Sequence, residues 1–168
     1  LNLEKSFTHH YRTYGFWAPA IQDYVDMNIM SWMGTSQFRE LAKTVDPYEY
    51  RDILTLPKYL VNSAGDQFFV PDSSRFYFAD LPGEKYLRYV PNTDHSLVTP
   101  EVVVGLFAWL DAILENRPRP RFSWTIDREK GIIRVRTLDR PLAVKVWQAS
   151  NPTARDFRRM TIGPAWTS

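Results

Sequence analysis

The chain of 168 residues contains no cysteine, which removes disulfides, thiol catalysis and Cys-ligated metal sites together. That absence leaves the compartment open, because exported proteins can also lack disulfides. No stretch is apolar enough for a membrane span: the longest run, VVVGLFAWL at 102–110, is about half of one. Neither a Met nor a basic-then-apolar signal opens the sequence at Leu1, so it reads as a processed product or a piece of something longer. No Gly-x-Ser-x-Gly elbow occurs anywhere in these residues. Aromatic side chains, in contrast, make up 15% of the residues, supplying large apolar contact areas and arguing against disorder. The length suits one full domain, or a partial domain with a small module.

Charge divides the chain. Residues 1–115 hold nine Lys and Arg against fifteen Asp and Glu, a net −6, whereas residues 116–168 hold twelve against four, a net +8. The switch falls at NRPRPRF, 116–122, where alternating Pro forbids a helix and favours an extended connector. Two regions follow from this, 1–116 and 117–168. The basic residues of the second alternate with apolar ones as strand exteriors do, so a solvated sheet face is expected and no nucleic-acid partner.

Residues 1–56 read as a helical segment. APAIQDYVDMNIMSWM, 18–33, spaces Ile21, Tyr24, Val25, Ile29 and Trp32 at helical intervals, and SQFRELAKTV, 36–45, can start on Ser36 as its cap. At VDPYEYRDI, Asp46 can cap a turn or short helix with Pro47 in the first position. Strand and helix then alternate through 57–116: PKYLVNSA as a strand, PDSSRFYFADL as a helix capped by Asp72 or Ser73, EKYLRYVP as a strand, and TPEVVVGLFAWLDAILEN as a helix capped by Thr99. Short links between such units predict a parallel sheet, whose ligands and catalytic groups gather where the strands end. Beyond the connector, RFSWTID, IIRVRTL and LAVKVWQAS alternate as a strand meander, with too few strands to close a sandwich. NPTARDFR reads as a polar loop whose Arg155, Asp156 and Arg158 pin the β region to the first region.

The loops after the two strands carry Asp66, in NSAGDQFFVPD, and His95, in NTDHS. A serine hydroxyl is a weak nucleophile until an imidazole takes its proton, and the imidazole needs a carboxylate on its other nitrogen. Asp66 and His95 occupy positions from which that relay could be made. The alternatives are a loop carboxylate that hydrogen-bonds its own backbone and an exposed or core histidine. Asp94 stands next to His95 and is read as a loop residue; Ser63 and Ser96 lack the elbow context. His9 and His10 have no acidic partner in ligand spacing, so neither a metal site nor a cofactor is expected.

Residues 45–97, VDPYEYRDILTLPKYLVNSAGDQFFVPDSSRFYFADLPGEKYLRYVPNTDHSL, together with HYRTYGFWAPAIQDYVD and WQASNPTARDFR, resemble the PhoPQ-activated pathogenicity-related proteins. The resemblance implies membership of the α/β-hydrolase superfamily, export to the periplasm or cell exterior, and peptidase- or esterase-like activity on an undefined substrate. It makes Asp66 the triad acid and His95 the triad base. The expected fold is then α/β, the C-terminal part of a hydrolase sheet (its last two parallel strand-helix units) followed by a small antiparallel β region. The nucleophile and the rest of the sheet are expected upstream, so the N-terminal remainder of the same protein is the expected partner. A non-catalytic binding or signalling protein on the same scaffold is the alternative.

Overall fold

Phe7, His10 and Tyr14 recur at the spacing that places side chains on one helical face. They do so on α1, Leu3–Tyr14, which ends at Gly15 in the left-handed region that glycine adopts freely (φ 79°). The computed structural model describes residues 1–168, and α1 is the first element of a mixed α/β architecture with two separate two-stranded sheets. Phe7 and His10 are buried against Trp17 and Tyr24. With Ala18, Ile21 and Phe38 they form the interior of the helical segment. A large apolar side chain fully buried in this way stabilises by roughly 1.5–3 kcal/mol.

The single helix expected over 18–33 is broken into three turns: a 3-10 turn Pro19–Ile21, the helix α2 (Gln22–Asp26) and a 3-10 turn Ile29–Trp32. The break falls at Asn28, whose φ of 57° no helix accommodates and which Asn tolerates better than most residues. The next helix, α3, runs Ser36–Val45 as expected, but its cap is Thr35, whose hydroxyl accepts from the Phe38 N–H at 3.2 Å. Asp46 caps the 3-10 helix Pro47–Ile53 through the Tyr48 N–H at 3.0 Å.

Lys58–Ser63 (β1) and Lys85–Val90 (β2) pair in parallel, in step from Lys58 opposite Lys85 to Ser63 opposite Val90. The connection between them is a 3-10 helix, Pro71–Phe76, and not the α-helix expected over PDSSRFYFADL. Pro, Asp and two Ser are poor helix-interior residues, and Asp72, expected as a cap, spends its carboxylate on His9 and Arg155 instead. Helix α4, Pro100–Leu114, follows β2 and is capped by Thr99 as expected.

The antiparallel pair is β3, Phe122–Asp127, with β4, Ile132–Thr137. The third strand expected at LAVKVWQAS is absent. Leu142, Val144 and Val146 stand in solvent, and the only pairing here is a bridge between Gln148 and Thr167. Alternation yields a strand only where a neighbouring edge and an apolar surface receive it. The last helix, α5, is the single turn Arg159–Ile162. The segment before it does tie the C-terminal region to the first: Arg155 reaches Asp72 at 2.7 Å and Thr13 at 3.2 Å. The buried Arg158 grips Asp156 with two bonds of 2.6 and 2.9 Å and lies over the rings of Tyr14 and Phe16.

His10 gives the interior a pH response. Its Nε2 accepts from the Ala18 N–H at 3.1 Å, so its Nδ1 carries the proton and donates to the Phe68 carbonyl at 3.2 Å. Burial lowers its pKa below 6.5, and the Phe68 bond opposes that only in part. An unfolded chain therefore takes up the proton first as pH falls. The neutral ring's contribution is complete above about pH 6.5 and is lost as pH falls through the lower folded value, by up to about 1.4 kcal/mol per pH unit. Thermal unfolding between pH 8 and pH 5 should show a larger fall for the wild type than for His10→Gln, which cannot titrate. Equal falls would contradict the assignment.

Candidate active site

The parallel register sets the site. Ser63 and Val90 end their strands side by side, so the loops that follow leave the sheet at the same edge. Ala64 extends the ladder by one bond, from its N–H to the Val90 carbonyl at 2.9 Å. Ser63 donates its hydroxyl to the Thr93 carbonyl at 2.7 Å while accepting from the Gly65 N–H at 3.0 Å. Its one donor is used within the loop pair and the residue is fully buried, so its hydroxyl is not presented to a substrate.

Asp66 is buried, and its Oδ1 accepts from the Phe68 N–H at 2.7 Å and the Phe69 N–H at 3.0 Å. The same carboxylate faces His95: Nδ1 lies 3.0 Å from Oδ2 and 3.1 Å from Oδ1. Asp66 thus hydrogen-bonds its own loop and, through the same carboxylate, faces the imidazole. The His95 ring is stacked on Phe68 at 5.0 Å and leans on Phe69 at 5.7 Å, and the His95 N–H donates to Gln67 Oε1 at 3.1 Å. A carboxylate only accepts, so Nδ1 carries a proton, and in the neutral ring Nε2 keeps its lone pair. Nε2 makes no hydrogen bond within the chain, and the side chain is 44% exposed, open to an incoming group.

Asp66 and His95 form part of the wall of a cavity of about 220 Å³, with Asn62, Ser73 and Tyr77. The Ser73 hydroxyl is buried there without a partner. Asp94 turns back on itself to accept from the Ser96 N–H and hydroxyl, so it neither reaches the ring nor leaves Ser96 free. Asp72 stands apart, with His9 Nε2 at 2.6 Å and Arg155 at 2.7 Å. Burial alone would raise its pKa, but His9 and Arg155 outweigh that and hold the carboxyl below its ordinary value. No group of three His, Asp or Glu side chains is placed to hold a metal ion, and no helix is long and apolar enough to cross a membrane.

Several contributors escape sequence reasoning. Gln67 and Phe68, directly after Asp66, hold the backbone and ring of His95, and only their position in the loop hinted at it. His10 supports the same loop from α1 through the Phe68 carbonyl. Arg159, which bonds both loops, and Trp166, which bonds Asn92 in the His95 loop, come from far along the chain, where no local pattern signals a contact.

Fold and site together define a mixed α/β protein that presents a histidine–carboxylate pair at the carboxyl edge of a parallel sheet. It belongs to the family described as PhoPQ-activated pathogenicity-related protein, whose model matches residues 1–158. Among curated proteins it is similar to autocrine proliferation repressor protein A of Dictyostelium discoideum, 38% identical over 175 residues that cover 96% of this chain. The chain spans about a third of that relative's length, 35%. No solved structure matches it.

Proposed function

We propose that these residues supply the acid and base of an exported serine hydrolase acting on ester or peptide bonds. The observation that carries the reading is the contact of buried Asp66 with His95 Nδ1 at 3.0 Å, which leaves Nε2 facing away from the carboxylate on an exposed side chain. In this reading Nε2 takes the proton of a serine from elsewhere in the protein as its Oγ adds to the substrate carbonyl. The imidazolium, stabilised by Asp66, then returns that proton to the leaving group, and water hydrolyses the acyl-enzyme by the same relay.

The N-terminal remainder of the same protein is the proposed source of the serine and of the donors for the oxyanion. Only 19 of the 168 residues are buried, and α4 leaves Val104 and Phe107 each 67% exposed, an apolar face that a larger domain would cover. Export, like the placement in the α/β-hydrolase superfamily, enters through the family resemblance. The name of the Dictyostelium relative, a proliferation repressor, favours a second reading in which the scaffold signals without catalysis. Assay of the complete protein against activated aryl esters and peptide amides tests the first. Turnover of an acyl bond is expected; no rate above buffer for any of them favours the second.

A further inference from the structure

The segment after the family-matched residues 1–158 closes over both loops of the site. The Arg159 N–H donates to the Gly65 carbonyl at 2.8 Å, on the residue before Asp66. Its side-chain Nε donates to the Asn92 carbonyl at 3.2 Å, in the loop of His95. Asn92 in turn holds Trp166 by both ends of its amide, donating to the Trp166 carbonyl at 2.9 Å and accepting from the Trp166 N–H at 3.0 Å. One residue thus bonds both loops, and a second bonds the strand of chain that follows it.

The fit beneath is close. A β-carbon built on Gly65 would lie 2.5 Å from the Thr93 carbonyl oxygen and 2.9 Å from Arg159 N and Cβ, so the loops and the segment are in backbone contact. Asn92 sits at φ 56°, a conformation that aims its amide at Trp166 and that Asn or Gly adopts with least strain. A hydrogen bond between two flexible loops holds its geometry only if the loops themselves are held, and a misplacement of about 1 Å at a reacting group is costly.

We propose that the segment Arg159–Trp166 is a clamp that positions the His95–Asp66 pair, with Arg159 and Asn92 as its positioning residues. The inference rests on the acid–base reading above for its functional meaning, but its test is independent of turnover. The ring nitrogens of selectively ¹⁵N-labelled histidine are read at pH 8 in the complete protein, with His95 assigned by its loss in His95→Gln. Wild type should show the fixed Nδ1–H tautomer, with two well-separated shifts, and Asp66→Asn should lose it. Asn92→Gly combined with Arg159→Ala removes the side-chain bonds while keeping the backbone conformation and the β-carbon of residue 159. It should move the ring toward the Asp66→Asn shifts. Arg155→Ala, which cuts the tie to Asp72 and Thr13, should leave the ring as in wild type.

If the double variant fails to fold, Asn92→Asp, which sets an acceptor-only, charged oxygen against the Trp166 carbonyl in place of the donor, is read in the same way. Displaced ring shifts support the clamp. Ring shifts equal to wild type in the clamp variant, beside displaced ones in Asp66→Asn, overturn the clamp alone. Unmoved shifts in Asp66→Asn itself overturn the pair and the clamp with it. Displacement by Arg155→Ala as large as that of the clamp variant also overturns the proposal, because the effect would then be general loosening.

Discussion

His95→Ala in the complete protein is expected to lower kcat/KM for acyl-bond hydrolysis on the order of 10⁴-fold or more, with little change in stability. Without the imidazole a serine hydroxyl keeps its proton and remains a weak nucleophile. The fold should tolerate the change, because the side chain is 44% exposed and its loss removes the hydrogen bond to Asp66 and a face of Phe68. Asp66→Asn should give a comparable loss by a different route. The asparagine oxygen can still accept from the Phe68 and Phe69 N–H groups, but its amide would donate to Nδ1 and place the ring proton on Nε2, where it blocks the relay. Steady-state kinetics on the best substrate of the panel decides this. An effect below tenfold for either variant would place the chemistry elsewhere.

Gly65→Ala is the substitution expected to damage the structure most for its size. The backbone at Gly65 does not lie in the left-handed region, so the effect comes from crowding rather than from strain at that residue. The added methyl meets the Thr93 carbonyl and the Arg159 backbone and Cβ, none of which is the yielding end of a flexible side chain. Overpacking of this kind costs about 3 kcal/mol, and the two loops must separate to relieve it. Differential scanning calorimetry should show a fall in Tm of several degrees. The Asp66–His95 contact should lengthen in the variant's structure. A Tm within a degree of wild type would mean that the loops are not in the contact described.

How much of this was legible in the sequence follows from the range of the interactions concerned. Thr99 before Pro100 and Asp46 before Pro47 are local signals, and both cap the helices expected of them. The parallel pairing of β1 and β2 followed from the alternation of strands with connecting segments. The failures are of two kinds. Asn28 and the Pro-Asp-Ser-Ser run broke helices that the apolar spacing alone supported, a case of backbone preference overriding periodicity. The strand expected at 142–150 did not form: Leu142, Val144 and Val146 find no apolar surface and stay in solvent, which no local pattern reveals. At the site, Asp66 and His95 stood out because carboxylate and imidazole fell after successive strands. Asp72 was equally visible, yet its partners His9 and Arg155 come from distant segments that only the folded chain brings to it.

The most direct test of the central claim, that His95 held by Asp66 is the base for a serine nucleophile, is covalent capture by an alkyl fluorophosphonate. The serine Oγ attacks phosphorus and expels fluoride, at a useful rate only where an imidazole takes the hydroxyl proton. Intact mass spectrometry of the complete protein should show one phosphonyl group per chain. The rate of capture should fall by roughly 10³-fold or more in His95→Gln. No capture by the wild type, or capture at the same rate in the two proteins, would contradict the account.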